Sequence, residues 1–564
     1  MKQEEVFEKL SKDEDRDVRQ AVARNKKTPA KVLEKLSQDE DWMVRDEVAK
    51  NPSTPPEILK KLSQDENEWV RWNVANNRSI TPELLDEISN NEDLYVRKRV
   101  AINKNTLPKT LSKLSQDREW EVRREVAFNI NTPANILEKL SNDKYNAIRE
   151  YVASNPSTPS IVLEKLAEDE DDEVRRFVAS NPNTPQDALE KLSEDKNEYI
   201  RWDVALNPNT SKKTLIKLSN DEEWSIREDV AKNPNTPPET LAKLSQDEDL
   251  GYIKAKVALN PNTPLEVLDK LSNNKIERIR EMVASNPSTP VDILEKLSND
   301  KVTNVRQSVA KNLNTTLEVL EKLSQDENER VRKVVAKNRN TPHDILKELS
   351  QDKSELVVES VFSNSSLTSK MLNKISNNES EYARQKVAEN KKTSLKTLEK
   401  LSQDKSEWVR LEVAKNPNTP HDILKELSQD KSEDVRAEVA YNLNTSAEIL
   451  TELSNDDSSY VRKYVASNPN TPPQILIKLA EDEDDEVRIK IAKNPNTPIE
   501  SLNRLTEDKN IEIKKALITN PSTPINALLK LSDDNVQIRK LIAQNLDFDK
   551  PNISQPKKSI LPSI

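Results

Sequence analysis

Residues 51–77, NPSTPPEILKKLSQDENEWVRWNVANN, contain one complete copy of a pattern that recurs along the whole chain. The asparagine that opens this pattern returns every 26 residues, with one step of 27 and one of 25, and gives 21 copies. Self-similarity at a fixed period of this length is the signature of a repeat array. The 564 residues therefore predict one elongated repeat domain rather than several globular domains.

Each copy predicts two short helices. Thr54 and Glu57 fit a capping box, so helix A is expected to start there and to run for about ten residues. Asp65 is expected to cap helix B, whose buried face carries Val70 and Val74. Helices this short, each with one apolar face, are stable only when neighbouring copies stack. The predicted fold is therefore all-α: an α-solenoid of about 21 two-helix repeats.

The pattern also indicates where the array begins, ends and changes. Residues 1–24 are polar and lack the Thr-Pro start, as expected of an N-terminal capping unit whose outer face has no neighbour. Tandem repeats occupy residues 25–545, and residues 546–564 are predicted to be a disordered tail. Gly251 accompanies the one-residue insertion and indicates a permissive backbone at a helix start. The degraded copy at 352–369 is either a hinge or drift in one repeat.

Three polar positions scarcely vary between copies. An aspartate stands six residues before an arginine, and the arginine is kept in 18 of 21 copies. A spacing of six does not place two side chains on one helix face. Each arginine is therefore expected to approach the aspartate or the helix-B start of a neighbouring copy and to fix the register. The opening asparagine is expected to satisfy backbone groups where helix B ends. Examples are Asp39, Arg45 and Asn51; Asp65, Arg71 and Asn77; and Asp169, Arg175 and Asn181.

Composition excludes several classes of chemistry. The chain has no cysteine, so disulfides, thiolate metal sites and cysteine nucleophiles are excluded. The N-terminus lacks the apolar run of a signal peptide, and no segment is apolar enough to span a membrane. Two duplicated histidines, no glycine-rich phosphate loop and no metal-ligand spacing argue against catalysis and against a cofactor. A cytoplasmic, monomeric, non-enzymatic protein is expected.

The string EDEDDEVRRFVASNPNTP at 168–185 resembles the leucine-rich repeat variant family, which is similar to HEAT repeats in its aspartate–arginine spacing. The resemblance covers roughly residues 6–545. It implies a right-handed superhelix of alternating short helices, one of them 3₁₀-like, and a role in scaffolding and partner binding. Some family members carry a cysteine-rich iron–sulfur segment. Since this chain has no cysteine, that cofactor does not carry over.

Aromatic residues give the sharpest functional signal. All seven tryptophans and all nine tyrosines fall in helix B, and helix A has none. Helix B is therefore expected to line the concave face, with exposed aromatic side chains as binding anchors. The alternative is that these side chains pack between adjacent helices B and complete the core. The candidates are Trp69, Trp72 and Tyr95; Tyr199 and Trp202; and Tyr382 and Trp408.

Charge disfavours nucleic acid as the partner. The four variable positions of helix B hold 20 lysines and arginines and 18 aspartates and glutamates over all copies, and the chain carries a net charge of −11. A groove that binds phosphates should be strongly positive. The sequence thus predicts a scaffold that binds a protein along helix B. The alternatives are a nucleic-acid-binding superhelix and a HEAT-like lyase or accessory factor for a large substrate.

Overall fold

The structure, a computed structural model, describes residues 2–248 and 251–546. Every helix or strand assigned within these ranges is an α-helix, and there are 42 of them. The predicted all-α stack of helix pairs is therefore confirmed. Of the predicted disordered tail 546–564, Leu546 is instead buried and ends the last helix, and residues 547–564 lie outside the described residues.

The helices are numbered in chain order, so that odd numbers are helix A and even numbers are helix B of each repeat. Most helices A have seven residues and most helices B have nine. Their bounds are α1 Lys2–Leu10, α2 Arg16–Arg24, α3 Ala30–Leu36, α4 Trp42–Lys50, α5 Pro56–Leu62, α6 Glu68–Asn76, α7 Pro82–Ile88, α8 Leu94–Ile102, α9 Pro108–Leu114, α10 Trp120–Phe128, α11 Ala134–Leu140, α12 Asn146–Ser154, α13 Ser160–Leu166, α14 Asp172–Ser180, α15 Gln186–Leu192, α16 Glu198–Leu206, α17 Lys212–Leu218, α18 Trp224–Lys232, α19 Pro238–Leu244, α20 Tyr252–Leu259, α21 Leu265–Ser272, α22 Glu277–Ser285, α23 Val291–Leu297, α24 Thr303–Lys311, α25 Leu317–Ser324, α26 Glu329–Lys337, α27 His343–Leu349, α28 Glu355–Phe362, α29 Ser369–Ile375, α30 Glu381–Glu389, α31 Leu395–Ser402, α32 Glu407–Lys415, α33 His421–Leu427, α34 Glu433–Tyr441, α35 Ala447–Leu453, α36 Ser459–Ser467, α37 Pro473–Leu479, α38 Asp485–Lys493, α39 Ile499–Leu505, α40 Ile511–Thr519, α41 Ile525–Leu531 and α42 Val536–Asn545.

The start of helix A differs from the predicted capping box. Pro55 is the N-cap residue of α5 and makes no side-chain cap, because a proline side chain has no polar atom. A second proline, Pro56, follows at the first helical residue, where its fixed φ suits the helix. Thr54 is buried, and its Oγ1 donates to the carbonyl oxygen of Val48 at 2.6 Å. The threonine thus ties the loop to the end of helix B. The expected 3₁₀ character is also absent from the described helices, which are all α.

The predicted cap of helix B was wrong by two residues. In α6 the N-cap is Asn67, whose side chain accepts from the backbone N–H of Trp69. Asp65 instead accepts from the N–H of Asn67 at 2.9 Å and binds an arginine of the preceding repeat. The aspartate is drawn away from the helix because a carboxylate gains more from a guanidinium partner than from a backbone amide.

The core is a continuous layer of small aliphatic side chains between helices A and B. Most repeats contribute the same six apolar positions, nearly or fully buried, and in several repeats a buried threonine such as Thr110 takes the first of them. In the copy quoted above these are Ile58, Leu59, Leu62, Val70, Val74 and Ala75. Since each helix buries only one stripe, the next repeat must supply the opposite wall of the core.

The helices form two compact units. Unit 1 comprises Met1–Leu84 and Thr368–Ile564, and unit 2 comprises Leu85–Leu367. One boundary, between Leu367 and Thr368, lies within the degraded copy at 352–369, in which α28 ends one residue early at Phe362. Val358 takes the place of the usual arginine and is buried as an apolar side chain. The interpretation of this copy as a hinge stays a prediction.

The first and last repeats of the chain pack against each other within unit 1. Helix α2 lies on α42, and α1 lies on α41. Arg539 donates from Nε and Nη2 to the two carboxylate oxygens of Asp13 at 2.8 and 3.1 Å. The Nδ2 group of Asn25 donates to the carbonyl oxygens of Ala543 and Leu546 at 2.7 and 2.9 Å. The outer face of residues 1–24, expected to have no neighbour, is instead covered by the last repeat. We call this contact the terminal interface.

Gly251 is the N-cap residue of α20 and has a positive φ of 97°. Only glycine adopts this left-handed conformation without strain. A Cβ atom at this position would lie 2.8 Å from Cδ1 of Ile276. The expectation of a permissive backbone at the insertion is therefore confirmed.

Candidate interaction surface

The invariant arginine and aspartate join successive repeats. Arg45 donates from Nε and Nη2 to both carboxylate oxygens of Asp65, 20 residues ahead, at 2.7 and 3.0 Å. Its Nη1 donates at 2.8 Å to the carbonyl oxygen of Asp39, its own aspartate. Arg175 binds Asp195 and the carbonyl of Asp169 in the same way. Arg71 donates to the carbonyl of Asp65 at 2.8 Å. The guanidinium group thus connects two repeats at once.

In later repeats the same pairing holds the aspartate in its charged form. Burial would raise the pKa of Asp404, but the hydrogen bonds from Arg384 and from the N–H of Ser406 hold that pKa below its ordinary value. The same balance lowers the pKa of Asp430 beside Arg410. The hydrogen bond to its carboxylate partner raises the pKa of Arg410. The arginine–aspartate pairs between successive repeats, which we call the ladder, are therefore a row of charged, largely buried pairs that contributes to stacking.

The invariant asparagine also connects repeats. Asn51 donates from Nδ2 to the carbonyl oxygens of Ala23 and Asn25 in the preceding repeat, at 2.6 and 2.9 Å. Its Oδ1 accepts from the N–H of Ser53 at 2.9 Å. Asn77 and Asn181 make the equivalent contacts. Each asparagine thus satisfies carbonyl groups left unpaired at the end of the preceding helix B.

The predicted aromatic anchors are exposed to different degrees. Trp69, Tyr95, Tyr199 and Trp408 expose between 50% and 55% of their surface. Trp72, Trp202 and Tyr382 are partly buried. Half-exposed aromatic side chains of this size leave a large apolar area in water, as surfaces that bind partners do.

The contacts among these anchors are selective. The aromatic groups of Trp69 and Trp72 meet edge to face, with centroids 4.5 Å apart. Trp202 donates its indole N–H to Asp229 on the next helix B, and Tyr199 lies under the guanidinium group of Arg176 at 5.7 Å. The structure therefore joins Trp69 to Trp72, while Tyr199 and Trp202 have separate partners.

The structure shows further aromatic pairs that the sequence analysis did not single out. Trp120 lies 5.6 Å from Tyr145 with an interplanar angle of 28°. Trp224 lies 5.6 Å from Tyr252 with an angle of 34°. In unit 1, Tyr464 contacts both Tyr441 and Tyr460, at 5.6 and 5.1 Å. The signal in the sequence was a tryptophan at the first residue of one helix B followed by a tyrosine near the start of the next.

We call the side chains of α10, α12, α14, α16, α18 and α20 that do not face the core the aromatic surface of unit 2. Apart from the ladder arginines, the five helices B α10, α12, α14, α16 and α18 carry nine carboxylates and only three cationic side chains, whereas α20 carries two lysines and no carboxylate. Burial raises the pKa of Glu150, and the charges of Asp171 and Glu173 add to the rise. By contrast, α22, α24 and α26 carry three carboxylates, five cations outside the ladder, and no tryptophan, tyrosine or phenylalanine.

Other kinds of site were sought in the described part of the chain. In residues 2–248 and 251–546, no group of three or more metal-binding side chains could hold an ion. His343 and His421 are exposed at the first residues of α27 and α33, which belong to different units. None of the helices in these ranges is long and apolar enough to cross a lipid bilayer.

Stacked α-helix pairs joined by repeated ladders place the chain in the class of α-helical repeat proteins. Within that class, the sequence model of the protein family described as "Leucine rich repeat variant" matches residues 16–41, 172–197 and 224–249. Each match has the length of one repeat, so the resemblance to leucine-rich repeat variant proteins is confirmed. No curated protein matches the sequence significantly.

Solved structures give weaker similarities. A leucine-rich repeat variant protein is 26% identical over 37% of this chain and 84% of its own, with a TM-score of 0.31. Yeast importin-β (Kap95p) is 12% identical over 96% of this chain and 90% of its own, with a TM-score of 0.30. Kap95p in a structure with RanGDP is 12% identical over 95% of this chain and 90% of its own, with a TM-score of 0.31. Such low scores support no inference about the partner of this chain.

Proposed function

We propose that this protein is a non-catalytic scaffold that binds a partner protein along its helix-B surface. The observation that carries the proposal is the segregation of aromatic side chains. Tryptophan and tyrosine are confined to helix B and the residues just before it, and many of them are about half exposed. Aromatic side chains are the residues that most often contribute large binding energies at protein interfaces.

The ladders support this proposal by accounting for the invariant polar residues. In most repeats the arginine, aspartate, asparagine and threonine are engaged in stacking. Many of the residues that vary between repeats, such as Trp69 and Tyr199, are exposed on helix B, where a partner can reach them. A fixed scaffold with a variable surface is the arrangement by which repeat proteins present extended binding sites.

Site-specific photocrosslinking tests the proposal. A photoreactive phenylalanine analogue in place of Tyr199 is expected to crosslink a defined protein in host lysate, with and without nuclease. Leu265, which opens the helix A numbered α21, is the matched control because its side chain is 58% exposed and that of Tyr199 is 55% exposed. The same protein should be lost from a pull-down when Trp69, Trp72 and Trp202 are replaced by alanine.

Two outcomes would overturn the proposal. Capture that disappears after nuclease treatment would show that the chain binds nucleic acid. Crosslinking of the same protein from positions 199 and 265 alike would show that helix B is not the binding surface. Far-UV circular dichroism and thermal unfolding of each variant establish that it is folded.

A further inference from the structure

Aromatic side chains of unit 2 already bind the protein's own cations. The guanidinium group of Arg124 lies 5.5 Å from the centroid of Trp120 and 5.8 Å from that of Tyr151. The ammonium group of Lys144 lies 5.0 Å from the centroid of Tyr145. The electron-rich face of an aromatic group attracts a cation at this distance. Through α10, α12 and α14, the chain thus supplies both the aromatic face and the cation.

The pair of Trp224 and Tyr252 has the same geometry without such a cation. Its centroids are 5.6 Å apart with an interplanar angle of 34°, and those of Trp120 and Tyr145 are 5.6 Å apart with an interplanar angle of 28°. Trp224 and Trp120 both open a helix B at the same position of the repeat. Within residues 2–248 and 251–546, no lysine or arginine lies over Trp224 or Tyr252. The two aromatic groups are 47% and 55% exposed.

The surroundings of this pair are acidic on the side of Trp224. Glu198 is the first residue of α16, as Trp224 is of α18 one repeat later, and Glu223 directly precedes Trp224. Two further carboxylates are already engaged, because Glu228 is 3.4 Å from Lys256 and Asp229 accepts the indole N–H of Trp202. Over α10, α12, α14, α16 and α18 the carboxylates outnumber the cations outside the ladder by nine to three, whereas α20 carries Lys254 and Lys256 and no carboxylate. A positively charged ligand therefore complements the aromatic pair and the acidic helices B that precede it.

We propose that Trp224 and Tyr252 form a subsite for an arginine side chain of the partner protein, presented on an extended segment that lies along the aromatic surface of unit 2. This inference rests on the proposed function and specifies the chemistry of the partner. In this chain both arginine and lysine lie over tyrosine, as Arg176 does over Tyr199 and Lys144 over Tyr145, whereas the cation over Trp120 is Arg124, and arginine is therefore the side chain proposed. A planar guanidinium group stacks on an aromatic face and is less strongly hydrated than an ammonium group.

Fluorescence anisotropy with purified protein tests the subsite. The probe is a fluorescein-labelled, amidated peptide of five Gly-Arg pairs, compared with matched Gly-Lys and Gly-Gln peptides at about 0.15 M salt, where exposed charges more than about 8 Å apart are screened. The Gly-Arg peptide should bind most tightly. Trp224→Ala or Tyr252→Ala should raise its Kd about fivefold, and Trp224→Phe, which keeps an aromatic face, should have a smaller effect.

Ile216→Ala is the matched control, because Ile216 is 49% exposed, as Trp224 is 47% exposed, but lies on the helix A numbered α17. It should leave the Kd unchanged. The inference is overturned if Trp224→Ala binds the Gly-Arg peptide as the unchanged protein does, if Ile216→Ala weakens binding equally, or if the Gly-Lys or Gly-Gln peptide binds as tightly. The scaffold proposal survives these outcomes as long as crosslinking from position 199 persists, so the two failures are distinguishable.

Discussion

At the scale of the residue, each ladder arginine forms hydrogen bonds to two successive repeats. Arg410 donates from Nε and Nη2 to Asp430 at 2.6 and 3.0 Å and from Nη1 to the carbonyl of Asp404 at 2.9 Å. Only about a tenth of either charged side chain is exposed. The planar guanidinium group can reach both partners because its donors point in fixed, divergent directions.

Arg410→Ala is expected to destabilise the protein by about 3 kcal/mol, because it leaves the Asp430 carboxylate buried without its cation. Urea unfolding measures the change. The matched control is Lys425→Ala, which removes an ion pair to Glu448 of 3.0 Å whose two side chains are 52% and 62% exposed. That variant should unfold at the same urea concentration as the unchanged protein. Equal effects of the two substitutions would show that the ladder is no stronger than a surface pair.

The sequence predicted part of this arrangement. The spacing of six residues correctly placed the arginine against the neighbouring repeat, because a helix cannot bring two such positions together. It did not distinguish Asp65 from Asn67 as the cap of helix B, since both side chains are good caps. That choice is decided by Arg45, which lies in another repeat and takes the carboxylate of Asp65.

At the scale of the element, the insertion in the helix-B start at α20 depends on Gly251. Gly251→Ala is expected to destabilise the protein by about 1–2 kcal/mol, since alanine disfavours a positive φ and its Cβ would crowd Ile276. Thermal unfolding measures the change. Adding Ile276→Ala should recover the part due to crowding, at small cost because Ile276 is 43% exposed. No loss of stability in Gly251→Ala would contradict the positive φ.

The sequence assigned aromatic residues to helix B but did not resolve their exposure. Tyr199 exposes 55% of its surface, whereas Trp202 on the same helix is partly buried and bonded to Asp229. Residues three apart lie on the same face of a helix, about 60° from each other, so their own helix does not account for the difference. Exposure therefore depends on the neighbouring helix B, which a periodic pattern does not specify.

At the scale of the whole molecule, the ladder carboxylates make stability depend on pH in acid. The pKa values of several of them, Asp404 and Asp430 among these, are lowered in the folded protein. A lowered pKa means that the folded state binds fewer protons than the unfolded state. The stabilisation is therefore complete above the ordinary aspartate pKa of about 3.9 and is lost as pH falls through the lowered values.

Urea unfolding at a series of pH values checks this dependence. The free energy of unfolding should change little through these groups between pH 7 and 5, and should fall below about pH 4. Asp430→Asn should be less stable at pH 7 and should show a shallower loss in acid. Stability that rises below about pH 4 would contradict a role for these charged pairs.

The terminal interface should protect the ends of the chain from fraying. A terminal repeat of a linear array has one neighbour and opens first, but here α2 and α42 cover each other. Hydrogen exchange of their amides should be as slow as that of α4. Arg539→Ala should speed it at both helices by about tenfold or more, since it breaks a largely buried pair.

Lys540→Ala is the control for this measurement, because its pair with Asp17 is about 40% exposed. It should leave exchange nearly unchanged. Fast exchange at α2 and α42 in the unchanged protein would contradict the interface. No sequence pattern predicted this contact, because the first and last copies read the same whether or not their faces meet.

Because the last repeat holds the first through the same kind of bonds that join repeats adjacent in sequence, the packing of unit 1 does not depend on where the chain is broken. A circular permutant that joins Leu546 to Lys2 through a short linker and opens the chain in another loop, for example between Lys391 and Lys392, should keep the helix content and thermal stability of the original chain, as circular dichroism would show. The position of the chain break can then be changed without changing the order of the repeats in space.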